Sequence, residues 1–288
     1  MKAVFRHEVS SYFTGVTGYV FGAFLLLFTG IYTMVYNLQS GSVHFEYVLG
    51  SMSFVFLIIV PILTMRVLAE ERRQKTDQLL YSLPLTMTQV VLGKFAAMAV
   101  VFAAPMVIVC LYPLVLSAYG NIYLPAAYSA IAGFFFLGMA LLSIGMYISS
   151  VTESQAVAAG LCFVVILINY FLSDLAGFAS ATAYSSLAAL AVTVLVFCGI
   201  VYLMTKNGFV SLILAAVLEA GLIGTYLLDS TRFEGLFAKI ISQLSLFERF
   251  YTIVNGVFDV TAIVYYLSVT GFFLFLSVQS LEKRRWSE

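Results

Sequence analysis

Two histidines, three cysteines and fourteen carboxylates are the groups in this 288-residue chain that could hold a metal, carry a proton or form a covalent bond. Their spacing excludes the familiar sites. His7 is followed by Glu8 but by no second histidine four residues on, so the two-histidine helical face of a zinc hydrolase is missing. His44 and Glu46 share one short polar segment, and two ligands make at most a weak metal site. Cys110, Cys162 and Cys198 each sit in an apolar run and read as small buried hydrophobes, not as a disulfide framework. A phosphate-cradling loop needs Gly-x-x-x-x-Gly-Lys-Ser/Thr, but Gly93-Lys94 is followed by Phe95 and lacks the earlier glycine. The chain is therefore expected to be no enzyme, to need no cofactor or metal of its own, and to hydrolyse no ATP alone.

One carboxylate stands apart. Glu219 lies near the middle of a 21-residue apolar run, where a charge costs a few kcal/mol unless it is protonated or paired. It reads either as part of an ion pathway or as an acceptor of hydrogen bonds from Ser211, Thr225 or another helix.

The elements that must position these groups are membrane helices. The chain is 62% hydrophobic and 10% charged, against about 25% charged residues in ordinary soluble domains. Its 14 basic and 14 acidic residues balance, so nothing points to a nucleic acid or another polyanion as partner. Eight stretches are apolar enough to cross a bilayer: 17–36, 48–65, 95–118, 126–149, 156–173, 183–204, 208–228 and 260–279. They contain Glu219 and no other Asp, Glu, Lys or Arg. With the N-terminus inside, eleven of the fourteen basic residues fall on the cytoplasmic side, which predicts cytoplasmic termini and a multi-pass protein of the cytoplasmic membrane. The first run lacks a small-x-small cleavage pattern and reads as a retained span. Ahead of it, Phe5, Val9, Tyr12 and Phe13 line one side of an amphipathic helix over 1–14, expected to lie in the lipid interface.

Two segments carry the remaining pattern. Segment 66–94 is the longest and most charged cytoplasmic stretch. Glu71–Lys75 and Arg73–Asp77 are spaced as i, i+4 pairs, and Leu79, Leu80 and Leu83 form an apolar side that ends at Pro84. Thr86 or Thr88 then caps a helix leading into the third span. This is either a solvated hairpin or a docking helix offering a partner a leucine anchor with charges for register. Segment 229–259, on the outer face, sets Phe233, Leu236, Phe237, Ile240, Ile241 and Leu244 at helical spacing, followed by Phe247, Phe250, Tyr251 and Val254. It is too polar to span and reads as an interfacial segment packed on the bundle or as a lid.

Segment 66–94 resembles the cytoplasmic loop of ABC-2 type transporter permeases: Glu70-Glu71-Arg72, Lys75-Thr76, Leu79-Leu80, Pro84 and Gly93-Lys94 match the family's pattern, although Lys75 stands where the family often has glycine. Both chain ends look like those of permeases from gliding-motility and nitrous-oxide-reductase-maturation systems. The resemblance implies an all-α polytopic bundle of about eight spans in a single permease domain over 1–288, with 183–228 as a helix pair added to a six-span core. It further implies a separate ATP-binding cassette ATPase, which would carry the ATP and Mg, and a second permease. Glu70, Glu71, Arg72, Arg73, Lys75, Asp77, Leu79, Leu80, Leu83 and Pro84 would form the coupling helix. Residues 150–155, with Thr152, Glu153 and Gln155, would make a lesser contact, and 1–14 would be the elbow helix. Export of an unidentified substrate is the expected activity. The alternatives are an ion-coupled secondary transporter relying on Glu219, or a membrane anchor that transmits force without moving solute.

Overall fold

A computed structural model describes residues 1–74, 86–174, 182–205, 208–256 and 259–285. The regular elements are helices, with no strand among the described residues, as the apolar runs require of a chain that must satisfy its own backbone in lipid. The protein is an all-α polytopic membrane bundle. Five described helical stretches are long and apolar enough to cross a membrane: Thr17–Gln39, Glu46–Arg73, Met87–Ser117, Leu124–Val151 and Val260–Arg284. Three shorter apolar stretches, Gln155–Tyr170, Ala183–Leu195 and Leu212–Leu228, complete the described set.

The chain forms two compact units, residues 1–169 with 249–288, and residues 170–248. The first unit begins with α1 (Lys2–Thr14) and α2 (Thr17–Thr33), which closes in a π-helical turn over Met34–Gln39. The next span is broken into α3 (Glu46–Met52), a 3-10 turn, α4 (Phe56–Thr64) and the short α5 (Ala69–Arg73). Then follow α6 (Met87–Val109), α7 (Leu111–Ser117), α8 (Leu124–Val151) and α9 (Gln155–Tyr170). Thr86 is the residue that caps α6: its side chain accepts the Gln89 amide at 3.3 Å.

Helix α8 is the axis of this unit because its sequence offers small residues where other helices cross it. A Cβ at Gly138 would run into the Phe102 ring of α6, and one at Gly145 would lie 2.8 Å from Thr64 Cβ of α4. Phe56 stacks on Phe134 at 4.4 Å, and Phe250 meets the same ring edge-on at 5.8 Å. That last contact places part of the expected outer-face segment inside the bundle. Phe250, Ile253 and Val254, on the second half of α13 (Leu246–Val254), are buried, and the Tyr251 hydroxyl shares a 3.0 Å hydrogen bond with Ser53. The final helix, α14 (Val260–Arg285), runs along α8.

In the second unit α10 (Ala183–Thr205) pairs with α11 (Gly208–Leu228), and a 3-10 turn over Ser230–Phe233 leads to α12 (Leu236–Leu244). Phe233 is buried edge-on against Tyr226, while Ile240 and Leu244, from the same predicted stripe, stay exposed. Asp229 accepts from Thr231 at 2.6 Å and Arg232 at 2.8 Å, and these bonds hold its carboxyl below the usual range. Gly235, at φ +65°, makes the left-handed turn that starts α12.

Candidate functional site

Glu8, Arg66, Glu70, Glu71, Arg72, Lys94 and Arg284 of the first unit converge at one end of the bundle, where α5 precedes 75–85 in sequence. A helix of five residues cannot satisfy its own termini, and α5 borrows from α8. The backbone amides of Leu68 and Ala69 both donate to Ser149 Oγ, at 3.2 and 3.1 Å. In the other direction, Arg72 reaches the carbonyl end of α8, donating to Thr152 O at 3.1 Å and to Ser150 O. The same terminus is held from α14, where Arg284 donates to Val151 O at 3.0 Å and Ser280 to Ser150 O at 3.3 Å. Two guanidinium groups at a helix C-terminus satisfy orphan carbonyls and oppose the negative end of the helix dipole.

A second knot lies beside it. Lys94, on α6, is 2% exposed, and its ammonium donates to Glu8 of α1 at 2.5 Å, to Glu71 of α5 at 2.7 Å and to Val67 O at 3.1 Å. Helix α1 can approach because α6 carries Gly93 under it, where a Cβ would stand 3.2 Å from Val4. Tyr12 seals the contact by donating to Leu63 O at 3.4 Å, and burial together with the nearby Glu8 carboxylate pushes its hydroxyl pKa well above the ordinary value. On the rim, Arg66 grips Glu70 through two nitrogens at 2.7 and 3.2 Å and donates to Thr17 at 3.1 Å.

These bonds place the residues singled out from the sequence. Glu70 is tied to Arg66 and Gln74, Glu71 to Lys94, and Arg72 to α8, whereas Arg73 is exposed. Thr152 takes part through its carbonyl, Glu153 is 80% exposed with Arg284 3.7 Å away, and Gln155 opens α9. Lys75, Asp77, Leu79, Leu80, Leu83 and Pro84 lie outside the described residues, and with them the Glu71–Lys75 and Arg73–Asp77 spacings. Glu219 sits half-buried on α11 in the second unit, and its Oε1 has no hydrogen-bond partner among the described residues. Thr225 is not that partner, since its hydroxyl donates to Gly221 O and Leu222 O; the Ser211 side chain lies outside the described part. His44 Nδ1 and Glu46 Oε1 are 2.7 Å apart, and no group of three His, Cys, Asp or Glu that could hold a metal occurs among the described residues.

From the sequence alone Glu8 has no role, Gly93-Lys94 lies at the interface, and Ser150 falls in the 150–155 contact without its bond to Arg72. One signal for Glu8 was present. It stands three residues after Phe5 and four before Tyr12, which at helical spacing sets it beside the apolar side, where a carboxylate needs a cation.

The bundle and its charged end define a polytopic membrane protein in which acids and bases at this end hold one another and helix termini. The sequence matches the family model of the ABC-2 family transporter protein over residues 5–278, and the chain belongs to that family. It is a permease of an ATP-binding cassette transporter, a transmembrane component that is not itself catalytic and whose family implies a cassette ATPase as partner. No curated protein matches the sequence.

Proposed function

We propose that this permease docks its ATPase through the segment that begins at Glu70 and continues to Pro84, and that ATPase closure moves the bundle between inward and outward access to export a substrate. One observation carries the reading. The short helix entering 75–85 is bolted by Lys94 to α1 and α6 and by Arg72 and Ser149 to α8, whose end is held in turn by α14. A displacement of 75–85 is therefore passed to four helices instead of being absorbed by a loose hairpin. In this account Leu79, Leu80 and Leu83 supply the hydrophobic anchor and exposed Arg73 part of the charge register, while Glu71 and Arg72 hold the anchor to the bundle. Residues 150–155 make the lesser contact, and 1–14 forms the elbow.

The surrounding assignments follow the distribution of charge. Eleven basic residues against three support eight crossings, both termini in the cytoplasm and a place in the cytoplasmic membrane. A second permease, identical or different, would complete the translocation path. The test is co-purification with the cassette ATPase. Leu79→Asp with Leu80→Asp should abolish recovery of the ATPase while the permease still folds, and recovery at the wild-type ratio would defeat the docking assignment. ATP-dependent solute movement in liposomes holding the purified complex would separate a transporter from a force-transmitting anchor.

A further inference from the structure

The joint made by Lys94 goes beyond docking. An ammonium has three N–H donors and no acceptor, and here Glu8, Glu71 and the Val67 carbonyl use all three. The group is almost wholly enclosed, so it is saturated and has no capacity left for a substrate or a lipid headgroup. Its partners come from separate parts of the chain: Glu8 is 86 residues away and Glu71 is 23. Neither carboxylate has to be on this cation for its own helix to form, because α1 is continuous through Glu8 and Glu71 lies inside α5. The shared cation therefore does one specific thing, which is to tie α1 to the helix that enters 75–85.

We propose that Lys94 is a positioning residue that makes α1 and α5 one mechanical body, so that the interfacial helix is displaced with the docking segment. The consequence for the ATPase rests on the docking reading above; the joint itself does not. Helix α1 carries an apolar side, with Val4, Phe5, Val9 and Phe13 half-buried and Tyr12 buried, so a displacement of α5 is delivered to a helix built to lie at a lipid boundary.

Glu8→Ala isolates the joint. It removes the α1 side of the joint while Lys94 keeps Glu71 and Val67, leaves the Tyr12 and Val4 contacts of α1 in place, and alanine preserves helix propensity. Spin labels at Ser10→Cys and Gln74→Cys, both exposed positions, report the α1–α5 separation in a background where Cys110, Cys162 and Cys198 are replaced by alanine. The isolated permease should give one narrow distance, Glu8→Ala a broad distribution, and Glu8→Gln, which keeps an acceptor for Lys94, a width between the two. In the complex, Glu8→Ala should leave ATPase recovery unchanged but lower permease-dependent ATP turnover by at least about fivefold, the low end of usual coupling free energies. A Glu8→Ala distance as narrow as wild type, or a broad wild-type distance, would overturn the joint. If no ATPase is recovered with the unaltered chain, the docking reading fails, and the distance measurement still decides the joint.

Discussion

Replacing Arg72 by methionine should unfasten the charged end of the bundle while leaving its middle intact. Arg72 is 8% exposed, and its guanidinium donates to Ser150 O and, at 3.1 Å, to Thr152 O. A hydrogen bond from a charged donor contributes about 1.5–3 kcal/mol. The low end applies to both bonds here, because Ser150 O keeps the Ser280 hydroxyl and Thr152 stands beyond the last turn of α8, where water can replace a donor. The loss is then about 3 kcal/mol, or roughly a 100-fold shift in local opening at about 1.4 kcal/mol per factor of ten. Methionine fills much of the arginine stem's volume, so the deficit is one of hydrogen bonds more than of packing. Hydrogen exchange in lipid nanodiscs reads this residue by residue. Amides at 68–73 and 149–153 should exchange on the order of 100 times faster, with 130–140 unchanged. Arg72→Lys should recover only part of the protection, since an ammonium cannot span two carbonyls as a planar fork does. Exchange at 149–153 within a few-fold of wild type would show that Arg72 does not hold the end of α8.

The remaining predictions concern packing and protonation. Gly145→Ala adds a Cβ 2.8 Å from Thr64 Cβ; overpacking of about 1–3 kcal/mol should outweigh the gain of up to about 1 kcal/mol in helix propensity, and the thermal midpoint in detergent should fall. Gly160→Ala, where a Cβ meets nothing within 4 Å, should raise the midpoint, and the two substitutions moving the same way would refute the packing argument. Tyr12 keeps its proton in the folded state above the pH at which the unfolded chain loses its own, so above about pH 10 it subtracts close to 1.4 kcal/mol of stability per pH unit. Tyr12→Phe should flatten that alkaline decline, and an unchanged slope would mean that the hydroxyl is not sealed under α1.

Much of the fold was legible because membrane helices declare themselves locally. The apolar runs, the cap at Thr86 and the amphipathic pattern of α1 are each written within one or two turns of chain, and all three appear in the structure. What escaped depends on partners distant in sequence. Arg72 looked like a surface charge because nothing in residues 66–94 reveals that α8 ends in carbonyls needing a donor 78 and 80 residues away. Lys94 looked interfacial for the same reason: its neighbours on α6 are apolar, and the carboxylates that make its burial tolerable belong to α1 and α5. Packing on the bundle was one of the two readings of the segment holding Phe250, but its partner was not legible: Phe134 is on a helix more than a hundred residues earlier. Local pattern located the elements; which charged side chains turn inward was decided by the orphaned backbone groups and cations of other helices.

The central claim is that an ATPase seats on the segment continuing from α5. It is tested most directly by photo-crosslinking from residues 79, 80 and 83, each replaced in turn by a photoreactive amino acid, in the native complex with its cassette ATPase. The account predicts crosslinks to the ATPase from these positions, weakened or shifted when nucleotide closes it, and none from position 240 on α12. Crosslinks confined to lipid or to the permease itself, in a complex that still contains the ATPase, would contradict it.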